Sequence, residues 1–434
     1  MSVSKKLSIL FFLMLAVTLV GSMAAQDETT ITVWLPDSTR WMCTGDQLIP
    51  EFNEQNPNVN VEVSYRSNYE QSLRTVLIGG MGPDIFQTEG PDQAVELASG
   101  GLLLPLDDFV SQYGWDQSIA TWALDLGKGP DGSLITIPAE LETLVLYYNS
   151  TVFEENGWVP PNTIDEMMEL AAEIEAAGVT PFAAIGLTCT GCFRWYIGEF
   201  FNSVAGPDKV YQALTGEIPW TDQAFVDSIT LLNQIVQNGW MMGSVEQMFE
   251  ADWDRFTGAF ARGEAAMSIE GTWFFGRQGD FFGEGTGNDK DFDWVPMPTV
   301  SGEDVYTIGL GSTWSVNSRT ANSAAVGEFL NWYLSPEIQA RQLVECGTTP
   351  APVLLSADML AGVDPRLGEI FAALSEASAA GNYGYTMWTF WPAQTNAYSR
   401  EGIQKVWTGD ITVEEFLTEF NNIFAQELES GEVP

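Results

Sequence analysis

Residues 256–276, FTGAFARGEAAMSIEGTWFFG, leave little freedom in what surrounds them. Phe256 and Phe260 stand one helical turn apart. Arg262-Gly263 closes that helix with a cation in its last turn and a glycine able to take positive φ. Residues 265–269 are a short apolar run suited to a strand covered on both faces. Glu270-Gly271-Thr272-Trp273 then sets a carboxylate, a small residue and a large aromatic at the strand's exit, the place where open α/β sheets bind ligands.

The remainder of the chain alternates in the same way. Residues 31–34 read as a first strand, followed by a helix that stops near Asn56-Pro57. Val59, Val61 and Val63 alternate with Asn60 and Glu62, a second strand with one buried face. Residues 82–86, GPDIF, start a third, and residues 138–149, PAELETLVLYYN, read as one further strand. Thr163-Ile164-Asp165-Glu166 and Thr412-Val413-Glu414-Glu415 are capping boxes that open helices, and Ser335-Pro336 opens another with proline in its first turn. Alternation of this kind predicts layered α/β architecture.

Chemistry is limited by what is missing. The chain has no histidine, which removes Ser-His-Asp and Cys-His catalysis and His-ligated zinc. With 17 Lys and Arg against 59 Asp and Glu, the formal net charge is −42. Nucleic acid and anionic membrane surfaces are therefore poor partners, since both need a basic face; solubility in a salty medium is the plainer account of the charge. No cofactor or metal site is expected. The four cysteines, Cys43, Cys189, Cys192 and Cys346, suggest disulfides in an exported protein. Cys189 and Cys192 fit either a local structural bridge or a thioredoxin-like redox pair, and the βαβ context for the second is missing. Cys43 with Cys346 is the natural second bridge.

Export is expected from the N-terminus. Lys5-Lys6 precede an apolar run at 7–20, and Ser22-Met23-Ala24 offer the small residues of a cleavage site, so residues 1–24 read as a signal peptide. The run is shorter than the roughly 20 residues of a membrane span. No cysteine stands just after it, which disfavours a lipid anchor and favours a freely periplasmic or extracellular protein.

Residues 256–276 resemble the signature of the family 1 extracellular solute-binding proteins, the maltose-binding-protein-like receptors of sugar ABC transporters. The resemblance runs in family order through EFNEQNPNVNVEV (51–63), GPDIF (82–86), GLLLPLDDFV (101–110), PAELETLVLYYNSTVFEENGW (138–158) and SPEIQARQLVECGTTPAP (335–352). It implies a two-lobed periplasmic-binding-protein fold of type II, each lobe an α/β sheet flanked by helices, joined by a hinge that closes on ligand. Because the family's chain crosses between lobes more than once, residues 25–140 plus 309–348 are expected in the N-terminal lobe and 141–308 plus 349–434 in the C-terminal lobe. The implied activity is non-enzymatic: a monomer captures a carbohydrate and docks on a membrane permease.

A sugar cleft needs aromatic faces for pyranose C–H groups and a rim of carboxylates, amides and arginine for hydroxyls. By resemblance, Trp273 is a stacking residue, Glu142 an acidic contact in the crossing strand with Glu140 on its face at period two, and Glu89 a polar contact past a strand. Trp34, Asp37 and Trp41 surround the exit of the first strand. Arg194 and Trp195 follow the cysteine pair, which is not a general family feature. Trp388, Trp391, Gln394 and Arg400 belong to the late TMWTFWPAQTNAYSR stretch. For each, the plain alternative is core packing for a tryptophan and a solvated loop for a carboxylate. Two rivals remain: the same fold holding a polyamine, peptide or iron, with Tyr147-Tyr148 as a weak iron cue, and a secreted glycoside hydrolase with paired carboxylates.

Overall fold

The computed structural model describes residues 28–430, so the expected signal peptide lies outside the described residues. Among the described residues, ten strands form two sheets. They are β1 (Thr29–Pro36), β2 (Val59–Arg66), β3 (Ile85–Thr88), β4 (Ile137–Glu142), β5 (Leu144–Tyr148), β6 (Thr180–Ala183), β7 (Ala265–Gly271), β8 (Asp293–Val295), β9 (Thr307–Val316) and β10 (Gly384–Tyr385). The first sheet runs β10-β9-β3-β1-β2 with β4 paired to β9, and the second runs β6-β7-β5-β8. In the first, β1 lies parallel to β2 and β3, while β3 and β4 are antiparallel to β9.

Each sheet has its own core. Ile31, Val33, Phe52, Ile85, Trp314 and Phe329 belong to one; Leu146, Phe182, Phe200, Trp220, Met267 and Phe420 belong to the other. Burial follows the sequence pattern. Val59 and Val61 are buried while Glu62 is exposed, and every residue of β7 is buried, as a strand covered on both faces requires. The helix Ile164–Ala176 opens with the expected capping box, Thr163 and Glu166 each binding the other's backbone.

Residues 138–149 correct the expectation of one strand. β4 ends at Glu142 in the first sheet and β5 begins at Leu144 in the second, with the buried Thr143 between them. Alternation alone does not reveal which partner a strand has, and here the partner changes from β9 to β7. Register shifts on either side of Glu140 also break the simple period-two face shared with Glu142. Other segments stitch this crossing together. Thr307 Oγ1 accepts a long hydrogen bond from the Leu144 N–H at 3.5 Å, and Thr386 donates its N–H and hydroxyl to the Ile308 carbonyl at 3.0 and 2.9 Å.

Candidate ligand-binding site

A cleft of about 790 Å³ lies between residues that follow the strands of the two sheets. On the first-sheet side, Asp37 and Ser38 come just past β1, and Trp41 lies in the short helix Thr39–Cys43. Gln87 is the penultimate residue of β3, Glu89 follows the strand, and Glu142 ends β4 beside Gly311 and Ser312 of β9. A Cβ on Gly311 would fall on the Glu142 carboxylate, so only glycine lets that side chain lie against β9. The Gln87 amide donates to Ser312 Oγ at 3.2 Å and to the Thr88 carbonyl at 2.9 Å, while its Oε1 makes no hydrogen bond within the protein.

The second-sheet side is built from indoles. Trp195 lies 4.7 Å from Trp273, 6.0 Å from Trp253 and 6.4 Å from Trp388, and Trp273 lies 6.2 Å from Trp388, all by ring centroids. Tilted and edge-on contacts at these distances suit the aromatic quadrupole. Trp273 folds back over Gly271, whose missing side chain gives the ring its place. Its indole N–H donates to Glu270 Oε1 at 3.2 Å. Burial pushes the Glu270 carboxyl up to about 7, against the pull of Arg277 and of the Trp273 hydrogen bond. The Arg277 guanidinium sits 3.8 Å from Glu270, donates to Thr257 Oγ1 at 3.1 Å and lies 4.5 Å over the Trp253 ring.

Arg194, in the helix Phe193–Phe200, reaches across the cleft. It donates through Nε to the Gly191 carbonyl at 3.1 Å, and through Nη1 to Asn396 Oδ1 at 3.2 Å and Asp92 Oδ2 at 3.4 Å. Asp92 belongs to the helix Gly90–Ser99 beside the first sheet. Glu89 is exposed and lies where the cleft meets the neighbouring cavity. Loss of surrounding water raises its pKa first, then Glu70 through charge and a hydrogen bond, while Arg194 opposes; access to solvent limits the size of this shift.

Of the residues singled out from sequence, Asp37, Trp41, Glu89, Glu142, Arg194, Trp195, Trp273 and Trp388 line this cleft. Gln394 and Arg400 line a neighbouring cavity of about 680 Å³ that shares Glu89 and Arg194. Trp34 lies under the Arg66 guanidinium at 4.4 Å, beside the small core of Tyr69, Leu73 and Phe86. Trp391 is fully buried against Trp220 and Phe420, with ring centroids 5.9 and 4.9 Å away. Both disulfides are formed, Cys43–Cys346 and Cys189–Cys192, the second beside the cleft.

Sequence reasoning passed over Gln87, Ser312, Trp253, Asp254, Arg277, Asp280 and Phe281, which also line the cleft. Two carried a readable signal. Gln87 stands two residues before Glu89 at the same strand end, and Trp253 follows the helix cap Asp252, whose side chain accepts from the Arg255 N–H. Ser312 carried none, because its place in the cleft comes from pairing across the sheet.

A family model for bacterial extracellular solute-binding proteins matches residues 36–340. Among curated proteins, the chain is similar to an uncharacterized ABC transporter extracellular-binding protein of Pyrococcus horikoshii, 22% identical over 68% of this chain and 65% of that one. It is 27% identical to the alpha-glucosides-binding periplasmic protein AglE of Rhizobium meliloti, over 65% of this chain and 64% of the relative. It is 24% identical to the sn-glycerol-3-phosphate-binding periplasmic protein UgpB of Escherichia coli, over 78% of this chain and 77% of that one. The matched segment thus spans slightly less than two thirds of the first two relatives. Among solved structures, a chitin oligosaccharide binding protein superposes with a TM-score of 0.76 at 20% identity, covering 92% of this chain and 99% of the other. A receptor in complex with raffinose gives 0.67 at 18%, covering 91% and 98%. At these identities the likeness speaks for the fold, which is the two-lobed α/β type II arrangement, each lobe a sheet flanked by helices.

Proposed function

The chain belongs to the family of bacterial extracellular solute-binding proteins, and from that membership we propose that it is an exported receptor that binds a carbohydrate and delivers it to an ABC importer. One observation carries the reading: a cluster of four indoles faces carboxylates and the Gln87 amide across one cleft. Indole faces take the C–H surface of a pyranose, and the opposite wall takes its hydroxyls. The mechanism is capture followed by closure. Contacts from both lobes favour the closed form, and the closed receptor docks on a membrane permease. No covalent step is involved, and the receptor acts as a monomer.

We place the lobe division near the sequence expectation, residues 25–140 plus 309–348 against 141–308 plus 349–434, because the two cores separate along similar lines. The exceptions lie at the crossings: Leu141, Glu142, Thr307, Ile308 and the short β10 belong to the first sheet, Ala351 packs in its core, and Leu343 packs in the other. The acidic lining favours one second reading, a cationic ligand such as a polyamine. The test is to unfold and refold the mature protein to strip carried-over ligand, then titrate it with mono- and oligosaccharides while following tryptophan fluorescence. Saturable micromolar or tighter binding without product supports the carbohydrate reading. Silence across sugars with a response to polyamines, peptides or iron keeps the fold and discards the carbohydrate.

A further inference from the structure

We infer that the cleft selects uncharged saccharides and rejects those carrying a carboxylate or phosphate, an inference that rests on the carbohydrate reading above. Among the described residues lining the cleft, Arg194 and Arg277 are the cations, set against Asp37, Glu89, Glu142, Asp254 and Asp280. Recognition of an anion calls for a guanidinium whose donor fork can turn toward it. Both arginines are already held by groups of the protein. Arg194, its side chain 9% exposed, spends Nε on the Gly191 carbonyl and Nη1 on Asp92 and Asn396. Arg277, its side chain 14% exposed, is held by Glu270 and Thr257 and lies flat over Trp253.

Redirecting the Arg194 guanidinium to an incoming anion would leave Asp92 deprived of its counter-charge, and turning Arg277 would break its hydrogen bond to Thr257 and its seat over Trp253. The Arg194 and Asp92 side chains are 9% and 16% exposed, so theirs is a pair of the kind that is costly to break. An anion that left the arginines in place would instead meet the carboxylates directly. Asp37 and Asp254, both exposed, stand on the two opposite walls, so neither side offers a neutral approach. A hydroxyl-bearing neutral ligand meets no such conflict, because carboxylates accept hydrogen bonds from hydroxyls. The net charge of −42 adds a longer-range repulsion that salt screens. Specificity in this reading comes from a built-in repulsive element as well as from attractive contacts.

The test uses the refolded mature protein and matched probes: maltotriose, raffinose and chitotriose, each beside a derivative with one primary hydroxyl oxidised to a carboxylate, and glycerol phosphate as a phosphate probe. Equilibrium titrations are run at low and at high ionic strength. The expected result is that the neutral member of the responding pair binds at least about tenfold tighter than its acid, and that the gap narrows as salt rises. Replacing both Asp37→Asn and Asp254→Asn, two exposed positions, narrows it further at low salt. An acid or phosphate that binds as tightly as its neutral partner overturns the inference while leaving the carbohydrate reading in place. A gap indifferent to salt and to the double substitution overturns it too, since shape would then be the cause. A flat response to every saccharide, with binding of a polyamine or peptide, removes the carbohydrate reading itself and this inference with it.

Discussion

The two walls of the cleft are made of different materials. The first-sheet wall is mostly polar, with Asp37, Gln87, Glu89, Glu142 and Ser312, and it holds one indole, Trp41. The second-sheet wall holds Trp195, Trp253, Trp273 and Trp388 together with both arginines and the carboxylates Asp254 and Asp280. On the carbohydrate reading proposed above, the hydroxyl rim and the apolar faces of a pyranose would be met by residues on different sheets. Closure is then needed to satisfy both at once. Each wall also has its own disulfide. Cys43–Cys346 joins residues 303 apart beside Trp41 and Met42, whereas Cys189–Cys192 closes a loop of sequence separation 3 just ahead of Arg194 and Trp195.

The largest expected effect contrasts those two bonds. Cys43→Ser with Cys346→Ser removes a very long loop closure and is expected to lower stability by about 4 kcal/mol on the chain-entropy account, read as a fall in thermal midpoint. Ligand affinity should change far less, and an affinity loss without a stability loss would reverse the assignment. Trp273→Ala removes the centre of the indole wall and is expected to weaken saccharide binding by about 2–3 kcal/mol, measured by calorimetry on protein shown folded by circular dichroism.

The same wall should respond to pH. The folded Glu270 holds its proton up to about 7, above its ordinary 4.5, so between those values the folded state binds more protons than the unfolded one. Its contribution to stability is therefore fully present below 4.5 and lost as pH rises through about 7, a change on the order of 2–3 kcal/mol. Glu199, buried and accepting from Thr307 Oγ1 at 3.0 Å, acts in the same direction up to about 8. Denaturant melts of Glu270→Gln from pH 5 to 8 should thus show a flatter decline, not a flat one; an unchanged slope would mean the carboxyl is already ionised.

On the polar wall, Glu142→Gln keeps the shape and removes the charge, and is expected to weaken binding by about 1–2 kcal/mol with little change in stability. The smallest effect belongs to Cys189→Ser with Cys192→Ser. The short loop contributes little to global stability, but Gly191 would no longer hold Arg194 as firmly. Affinity should fall by about 1 kcal/mol or less, and equal losses in both disulfide variants would erase the distinction between the walls.

Much of the fold was legible. Val59 and Val61 announced a one-sided strand, the Thr163–Glu166 box a helix start, and the apolar run at 265–269 a fully covered strand, because each depends on residues a few positions apart. The candidate site was legible where a residue directly follows such a strand, as Glu89 and Trp273 do. It was not legible at Ser312, which reaches the cleft through the pairing of β9 with β3 and β4.

By itself, then, the sequence determined the α/β alternation and the helix starts. It also excluded histidine chemistry outright. Tertiary structure alone decided that residues 138–149 divide between two sheets at Thr143. It also decided that Trp388 faces the cleft while Trp391, three residues later, is enclosed by Trp220 and Phe420. The physical reason is range: propensity, capping and alternation act between near neighbours, whereas a strand's partner and an indole's exposure are set by packing against segments far away in the chain.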